Sequence, residues 1–359
     1  MRWSFPVGRL LGIPIRVHYT FLILFAFIWY VEGTILGRDA ALHSVVFGIL
    51  IFICVLFHEL GHSFIAKKYN LTVTSIILLP IGGVSQISDI PRDPAKEIGI
   101  TAAGPIVNFL IAGILLLFGE LLDPSIRFSE SSLQSGNIIV DLFWANIMLG
   151  LFNIIPAYPM DGGRILRGIV AIKKDYLEAT RLAAEVGKLF AIGFIVAGFL
   201  LHFNLWLILI GIFIFSGASS EAEAAVVSST LEKVTVGDLM ITDFKIVLPD
   251  EPLTAVVDKS MHTFQNDFPV VDNGRFVGVL TRTAVIEALH RHMHDAKVGE
   301  VARIDFPRIK PEDTASMALT KMRSARISVA PVERDGKLLG IITVEKLLEA
   351  SDIFNDKKK

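Results

Sequence analysis

Residues Ala41–Ala66 read ALHSVVFGILIFICVLFHELGHSFIA, an apolar run that closes on His58-Glu59-Leu60-Gly61-His62. A bilayer asks about 20 such residues of a spanning helix, and this run supplies them. Positions i and i+4 of a helix share a face, so His58 and His62 can bind one metal ion while Glu59 between them serves as a general base. Ionisable side chains inside a membrane helix cost about 2.5–3.5 kcal/mol each on insertion scales, so a cluster of them there marks a functional site by default.

Outward from this run the chain keeps its apolar character as far as about residue 217. Of 359 residues, 52% are hydrophobic, and the segment after residue 217 carries most of the charge. Six spans can be drawn, Tyr19–Leu36, Leu42–Ala66, Ile98–Leu121, Ile138–Ile155, Ala183–Leu201 and Leu205–Phe215, the last continuing toward Ala225 through small residues. In that arrangement every lysine and arginine before residue 217 except Arg38 and Arg127 falls on one side, which predicts a multi-pass protein of the cell membrane with both termini cytoplasmic. The first apolar run follows three arginines and lacks a small-residue cleavage site, so it reads as a retained span. A net charge of −2 without a basic patch points away from nucleic acid. The lone Cys54 excludes an internal disulfide. It stands one turn before His58 on the same face, where it either approaches the metal or simply packs.

Two histidines do not complete a catalytic zinc site, which takes three protein ligands and keeps one position for water. The candidate third ligand is Asp161, in the run Asn153-Ile154-Ile155-Pro156-Ala157-Tyr158-Pro159-Met160-Asp161-Gly162-Gly163. Two prolines break the helix there, and irregular backbone at membrane depth is tolerated where it is buried in protein or lines a wet cavity. Asp161 reads equally as the N-cap of the basic helix that follows. His62 and Asp161 both close spans running outside to inside, which puts them at similar depth.

The pair of motifs resembles the site-2 protease family of intramembrane zinc metalloproteases, peptidase family M50. Pro80-Ile81-Gly82-Gly83-Val84 and Ala102-Ala103-Gly104-Pro105-Ile106-Val107-Asn108 fit the same resemblance, which covers about residues 1–217. It implies one zinc per chain on His58, His62 and Asp161, with Glu59 as the catalytic base. It implies further that Asn153 holds the substrate backbone or the developing oxyanion, and that Gly82 and Gly83 lie in a small membrane-embedded β-hairpin, within Leu71–Ile87, beside which an unwound substrate pairs. An Asx turn is the local alternative for Asn153, and a tight turn for the two glycines.

The soluble part repeats itself with a shift of 62 residues: Val236-Gly237-Asp238 answers to Val298-Gly299-Glu300, Pro269-Val270 to Pro331-Val332, and Gly278-Val279-Leu280-Thr281 to Gly340-Ile341-Ile342-Thr343. Each unit reads as helix, short strand, helix, a hairpin turning at Asn273-Gly274 or Asp335-Gly336, and a final helix. The pattern resembles a pair of CBS domains, which often bind adenine nucleotides and regulate an attached enzyme or transporter. Where many nucleotide-binding members place an aspartate on the ribose, this chain has Ala284 and Lys346, so the resemblance leaves adenine-nucleotide binding open against a homodimerisation or docking role. His290, His292 and His294 would not share a helix face and read as a solvated helix end.

The expected architecture is therefore a multi-pass α-helical membrane domain (1–217), a linker or helix extension (218–232), an α/β tandem of CBS domains (233–295 and 296–354) and a basic tail (355–359). The expected activity is zinc-dependent endoproteolysis of transmembrane protein substrates within the lipid bilayer. A CBS-regulated transporter or channel is the competing class. It has no need of a glutamate between two helix-facing histidines, and the six spans contain no inverted repeat.

Overall fold

In the computed structural model the apolar runs of the N-terminal half are helices and the β-branched stretches between them are strands. The structure describes residues 3–356 apart from 81, 88–91, 123–125, 127, 129–136, 262–264, 266, 292, 294–295, 305, 326 and 336. Of the sequence readings, Gly336, His292, His294, Arg127 and the last three lysines lie outside the described residues. The chain divides into two compact units, Met1–Ala222 and Glu223–Lys359.

The first unit runs β1 (Ser4–Leu10), β2 (Ile13–His18), α1 (Thr20–Ile35), α2 (Arg38–Lys68), β3 (Val73–Leu79), β4 (Gly82–Ile87), α3 (Pro94–Leu122), α4 (Ile138–Ile154), α5 (Asp161–Ala171), α6 (Tyr176–Leu200) and α7 (Leu205–Leu231). All six apolar runs are helical. Four of the helices, α2, α3, α6 and α7, are long and apolar enough to cross a membrane, whereas α1 and α4 are apolar but only 16 and 17 residues long. Their large apolar side chains, Leu22, Phe27, Leu110, Phe118, Leu189 and Phe213 among them, face outward, as expected of helices solvated by lipid. Helix α7 continues past the division of the units, so the segment 218–232 is helical as far as Leu231.

A four-stranded sheet in the order β1-β2-β3-β4 packs on α2. Strand β3 pairs antiparallel with β4 in the hairpin that the sequence indicates, and β2 lies parallel to β3. The β1-β2 hairpin, turning at Leu11-Gly12 with φ of 51° and 74°, has no counterpart in the sequence reading. Pro6, Pro14 and two arginines interrupt its alternation of apolar residues, so the period-two signal of a half-buried strand is weak. Inner faces of β2 and β3 bury Ile13, Ile76 and Leu78 against Phe21 of α1, Leu60 of α2 and Ile100 of α3. Helices α2 and α3 meet where Gly61 faces the backbone of Ala103.

The second unit contains α8 (Val236–Leu239), α9 (Leu253–Met261), β5 (Phe268–Asp272), β6 (Arg275–Leu280), α10 (Arg282–His290), α11 (Val298–Val301), α12 (Ala315–Ala325), β7 (Val329–Arg334), β8 (Lys337–Thr343) and α13 (Val344–Asp356). The short strands expected before α9 and α12 are reduced to single parallel bridges, Val247 with Val270 and Ile309 with Val332. Both hairpin turns hold their first residue at positive φ, Asn273 at 48° and Asp335 at 53°, the turn chemistry that Asn-Gly and Asp-Gly pairs favour. The strands form one sheet in the order β5-β6-β8-β7. The repeats complete each other, since Leu231, Val234 and Val236 belong to the core of the second repeat and Val298 to that of the first.

The α2–α3 contact leaves no room for a side chain at Gly61: an added Cβ would stand 2.9 Å from both the Ala103 carbonyl oxygen and Val107 Cγ2. The backbone oxygen cannot rotate away. Gly61→Ala is expected to cost about 1–3 kcal/mol by overpacking, seen as a lower thermal midpoint of the detergent-solubilised protein.

Candidate metal centre

His58 and His62 lie on the buried face of α2, and Asp161 opens α5 just beyond the break that ends α4 at Ile154. Met160 occupies the N-cap position and Asp161 the first helical position, so the capping role left open by the sequence is not the one taken. His58 Nε2 and His62 Nε2 are 3.0 Å apart, and each is 3.2 Å from Asp161 Oδ2. Among the described residues this is the one group of three or more potential metal-ligating side chains that converge.

The far side of each imidazole is engaged. His62 Nδ1 meets the Ile100 carbonyl oxygen at 2.8 Å, and His58 Nδ1 meets Asn108 Oδ1 at 2.5 Å. Both partners accept, so both Nδ1 atoms carry a proton, and in the neutral rings both Nε2 atoms present lone pairs to the centre. Asp161 Oδ2 is buried there without a hydrogen-bond donor among the described residues. Three lone pairs converging at about 3 Å repel one another unless a cation lies among them. A tetrahedral zinc with bonds of about 2.0–2.1 Å separates its ligands by about 3.3–3.4 Å, close to the spacing seen here. The residues fit zinc.

Glu59, next to His58 on α2, is buried, and its Oε2 accepts from Ser85 Oγ of β4 at 2.5 Å. Ser85 also reaches the Glu59 carbonyl oxygen and receives Ser63 Oγ. Gly83 packs directly on this carboxylate, where an added Cβ would lie 2.5 Å from Glu59 Cγ. Gly104 does the same for the histidines, because a Cβ there would collide with both Nε2 atoms. Gly82 sits at the turn with φ of 139° and open space around it. Asn153 is in the last turn of α4, half-buried, and its side-chain amide nitrogen donates back to the Leu149 carbonyl oxygen at 2.9 Å. Cys54 lies against Asn146, outside the converging group.

Sequence reasoning did not single out Asn108, Asn146 or Ser85, nor the ion-pair network behind α5. There Arg167 is buried between Glu97 of α3 and Glu221 of α7, bonding Glu97 Oε1 through two nitrogens and Glu221 Oε1 at 2.8 Å. Its guanidinium also stacks over the rings of Tyr158 and Tyr176, 5.5 and 4.8 Å from their centroids. Arg167 engages Glu97 through Oε1, and Glu97 Oε2 is buried without a hydrogen-bond partner among the described residues. None of the three stands out in the sequence, since Glu97 follows Lys96, Arg167 follows Arg164 in a basic helix, and Glu221 precedes Glu223.

The sequence profile of Peptidase family M50 matches residues 46–129 and 123–194, and that of the CBS domain matches 236–291 and 298–352. The zinc metalloprotease MJ0392 of Methanocaldococcus jannaschii is 35% identical over 360 residues, covering 100% of this chain and 99% of that protein. The putative zinc metalloprotease Rip3 of Mycobacterium tuberculosis is 25% identical over 387 residues, covering 99% and 94%. Among solved structures, the site-2 protease from Methanocaldococcus jannaschii shares 38% identity over 61% of this chain and 95% of that one, with a TM-score of 0.46. Full-length identity at this level, with the family profile falling on the converging histidines and aspartate, means that the chain belongs to peptidase family M50, the zinc metalloproteases of the site-2 protease family, and that it carries a tandem pair of CBS domains.

Proposed function

We propose that this metalloendopeptidase cleaves transmembrane segments of single-span membrane proteins near their cytoplasmic ends, using His58, His62 and Asp161 to hold one zinc and Glu59 as general base. The observation that carries the reading is the convergence of those three ligand atoms on α2, a helix long and apolar enough to cross a membrane. Zinc on such ligands supplies a Lewis acid that polarises a carbonyl and brings the pKa of bound water to about 7. Glu59 takes the proton of the attacking water and passes it to the leaving amine. Ser85 holds Glu59 Oε2, leaving Oε1 for that transfer. Glu59 needs no other proton carrier.

A transmembrane helix resists hydrolysis because each of its peptide groups is bonded internally and water is absent from hydrocarbon. Strand β4 ends the sheet, and its outer edge has no partner strand among the described residues. An unwound substrate adding to that edge beside Gly82 and Gly83 satisfies its own backbone groups and passes close to Glu59. Asn153, nearby in sequence to the broken segment, binds the substrate backbone or oxyanion in this reading. The six apolar helices then all cross, α1 and α4 included, with both termini cytoplasmic as the lysines and arginines dictate.

The CBS pair regulates activity or substrate access. A cleft of about 480 Å³ in it is lined by Asp243, Asp267 and Glu345 against Arg282, an acidic balance that disfavours polyphosphates. Thr281 and Thr343 spend their hydroxyls capping α10 and α13, accepting from the backbone N–H groups of Ala284 and Lys346.

Glu59→Gln is expected to keep zinc and fold while cleavage of a co-expressed single-span substrate falls by about 10²–10⁴; undiminished cleavage removes Glu59 from the chemistry. Purified Asp161→Ala should lose its zinc, and full metal content by elemental analysis removes Asp161 from the ligand set. Calorimetric titration of the full chain with AMP, ADP and ATP should give its strongest heat with AMP. No heat with any of the three makes the pair a dimerisation or docking module.

A further inference from the structure

His58 and His62 present the same nitrogen to the centre for different reasons. The ring of His62 is set by a backbone carbonyl, Ile100 O, which every sequence would supply. The ring of His58 is set by side chains alone. Its Nδ1 donates to Asn108 Oδ1, Asn108 Nδ2 donates to Asn146 Oδ1 at 3.0 Å, and Asn146 Nδ2 donates to the Leu142 carbonyl oxygen at 2.8 Å. Asn108 and Asn146 are both 0% exposed, so bulk water does not reach this series.

The direction of every bond is forced from the far end. A carbonyl oxygen only accepts, so Asn146 must turn its amide nitrogen toward Leu142 and its oxygen toward Asn108. Asn108 then has to donate to Asn146, which leaves its own oxygen facing His58. That oxygen requires a proton on Nδ1 and so, in the neutral ring, a lone pair on Nε2. Were Asn108 free to flip, its amide would present hydrogens to Nδ1. The proton of His58 would then move to Nε2, where it points at Asp161 Oδ2 and blocks a metal. The fixed peptide group of α4 thereby decides, through two amides, which nitrogen of an α2 histidine is a ligand.

We propose that Asn108 and Asn146 act in series as a tautomer lock on His58, as positioning residues for its metal-binding nitrogen. The proposal rests on His58 being a zinc ligand, but its first readout needs no metal and so stands or falls separately. The competing role for two buried asparagines is glue between helices α2, α3 and α4. A glue has no reason to act on one histidine and spare the other.

The test uses the full-length protein in detergent, labelled with ¹⁵N-histidine, stripped of metal with a chelator and held at alkaline pH, where both imidazoles are neutral and the single ring proton must choose a nitrogen. Long-range ¹H–¹⁵N correlation reports which ring nitrogen of each histidine carries the proton. In the native sequence both His58 and His62 are expected as Nδ1–H. In Asn108→Leu and in Asn146→Leu, His58 is expected to lose that preference while His62 keeps it. Zinc affinity, measured by competition with a chromogenic chelator, should fall about 10–100-fold, as for loss of other groups that orient a metal-bound histidine. Combining the two substitutions should weaken zinc no further than Asn108→Leu alone, because the asparagines act in series. Should either leucine variant fail to fold, Asn146→Ser removes the Oδ1 acceptor without crowding the helices and is expected to release His58 in the same way. Unchanged His58 protonation with native zinc affinity overturns the proposal. So does an equal disturbance of both histidines, or a double variant whose loss is the sum of the two.

Discussion

A buried polar atom without a partner costs about 1–3 kcal/mol, and Asp161 Oδ2 is such an atom at the centre of the N-terminal unit, facing two imidazole nitrogens. His58 Nε2, His62 Nε2 and Asp161 Oδ2 face one another inside a bundle whose outer surface is apolar. Two conditions make this arrangement tolerable. A cation must occupy the converging side, and the opposite side of each imidazole must be bonded so that its proton stays away from the centre. The second condition is written into the protein by the Ile100 carbonyl and by Asn108. Much of the surrounding architecture follows, since α3 has to bring both of those groups against α2.

Bringing a helix backbone so close to two imidazoles is a matter of volume before it is a matter of chemistry. Helix α3 can deliver Ile100 and Asn108 because Gly104, between them, presents no side chain to the ligand nitrogens. On the other flank β4 reaches Glu59 with Gly83 and then bonds it with Ser85 two residues on. Residues i and i+2 of a strand share a face, so contact and hydrogen bond arrive from the same side of the hairpin. Small residues thus set distances on both sides of α2, and polar neighbours at the next available positions use them. This explains why glycine-containing segments accompany the histidine motif.

The centre itself was largely legible in the sequence, because H-E-x-x-H is a local motif and its helical geometry follows from spacing alone. Asp161 was legible for another reason: two prolines announce broken backbone where an unbroken helix would otherwise continue. The repeat in the second unit was equally plain, and a shift of 62 residues relates even its isolated bridges, Thr235 with Thr314 and Pro252 with Lys297. What escaped reading is polar pairing across long separations. His58 and Asn108 are 50 residues apart, Asn108 and Asn146 38, and Arg167 and Glu97 70. No periodicity records such partnerships, since each asparagine in an apolar helix looks the same whether it bonds its own turn, as Asn153 does, or a neighbouring helix. Strands β1 and β2 escaped because their prolines and arginines mask the alternation.

The placement of Asp161 raises a mechanical question that the histidines do not, because it comes from a short helix reached through an irregular segment. Helix α5 has 11 residues, and its first turn alone would be a weak anchor for a carboxylate that must stay within about 3 Å of two imidazoles. Arg167 supplies the missing rigidity. It ties α5 to α3 through Glu97 and to α7 through Glu221, with Tyr158 and Tyr176 closing over the guanidinium. A buried ion pair of this kind contributes little net stability, since desolvation offsets most of the Coulombic gain, but its directional bonds specify one arrangement of the helices they join. Helix α3 therefore serves the centre twice, orienting the histidines with Ile100 and Asn108 and holding the helix of the aspartate with Glu97. One rigid element thereby references all three converging side chains, which is what a site assembled from two separate helices requires of its scaffold.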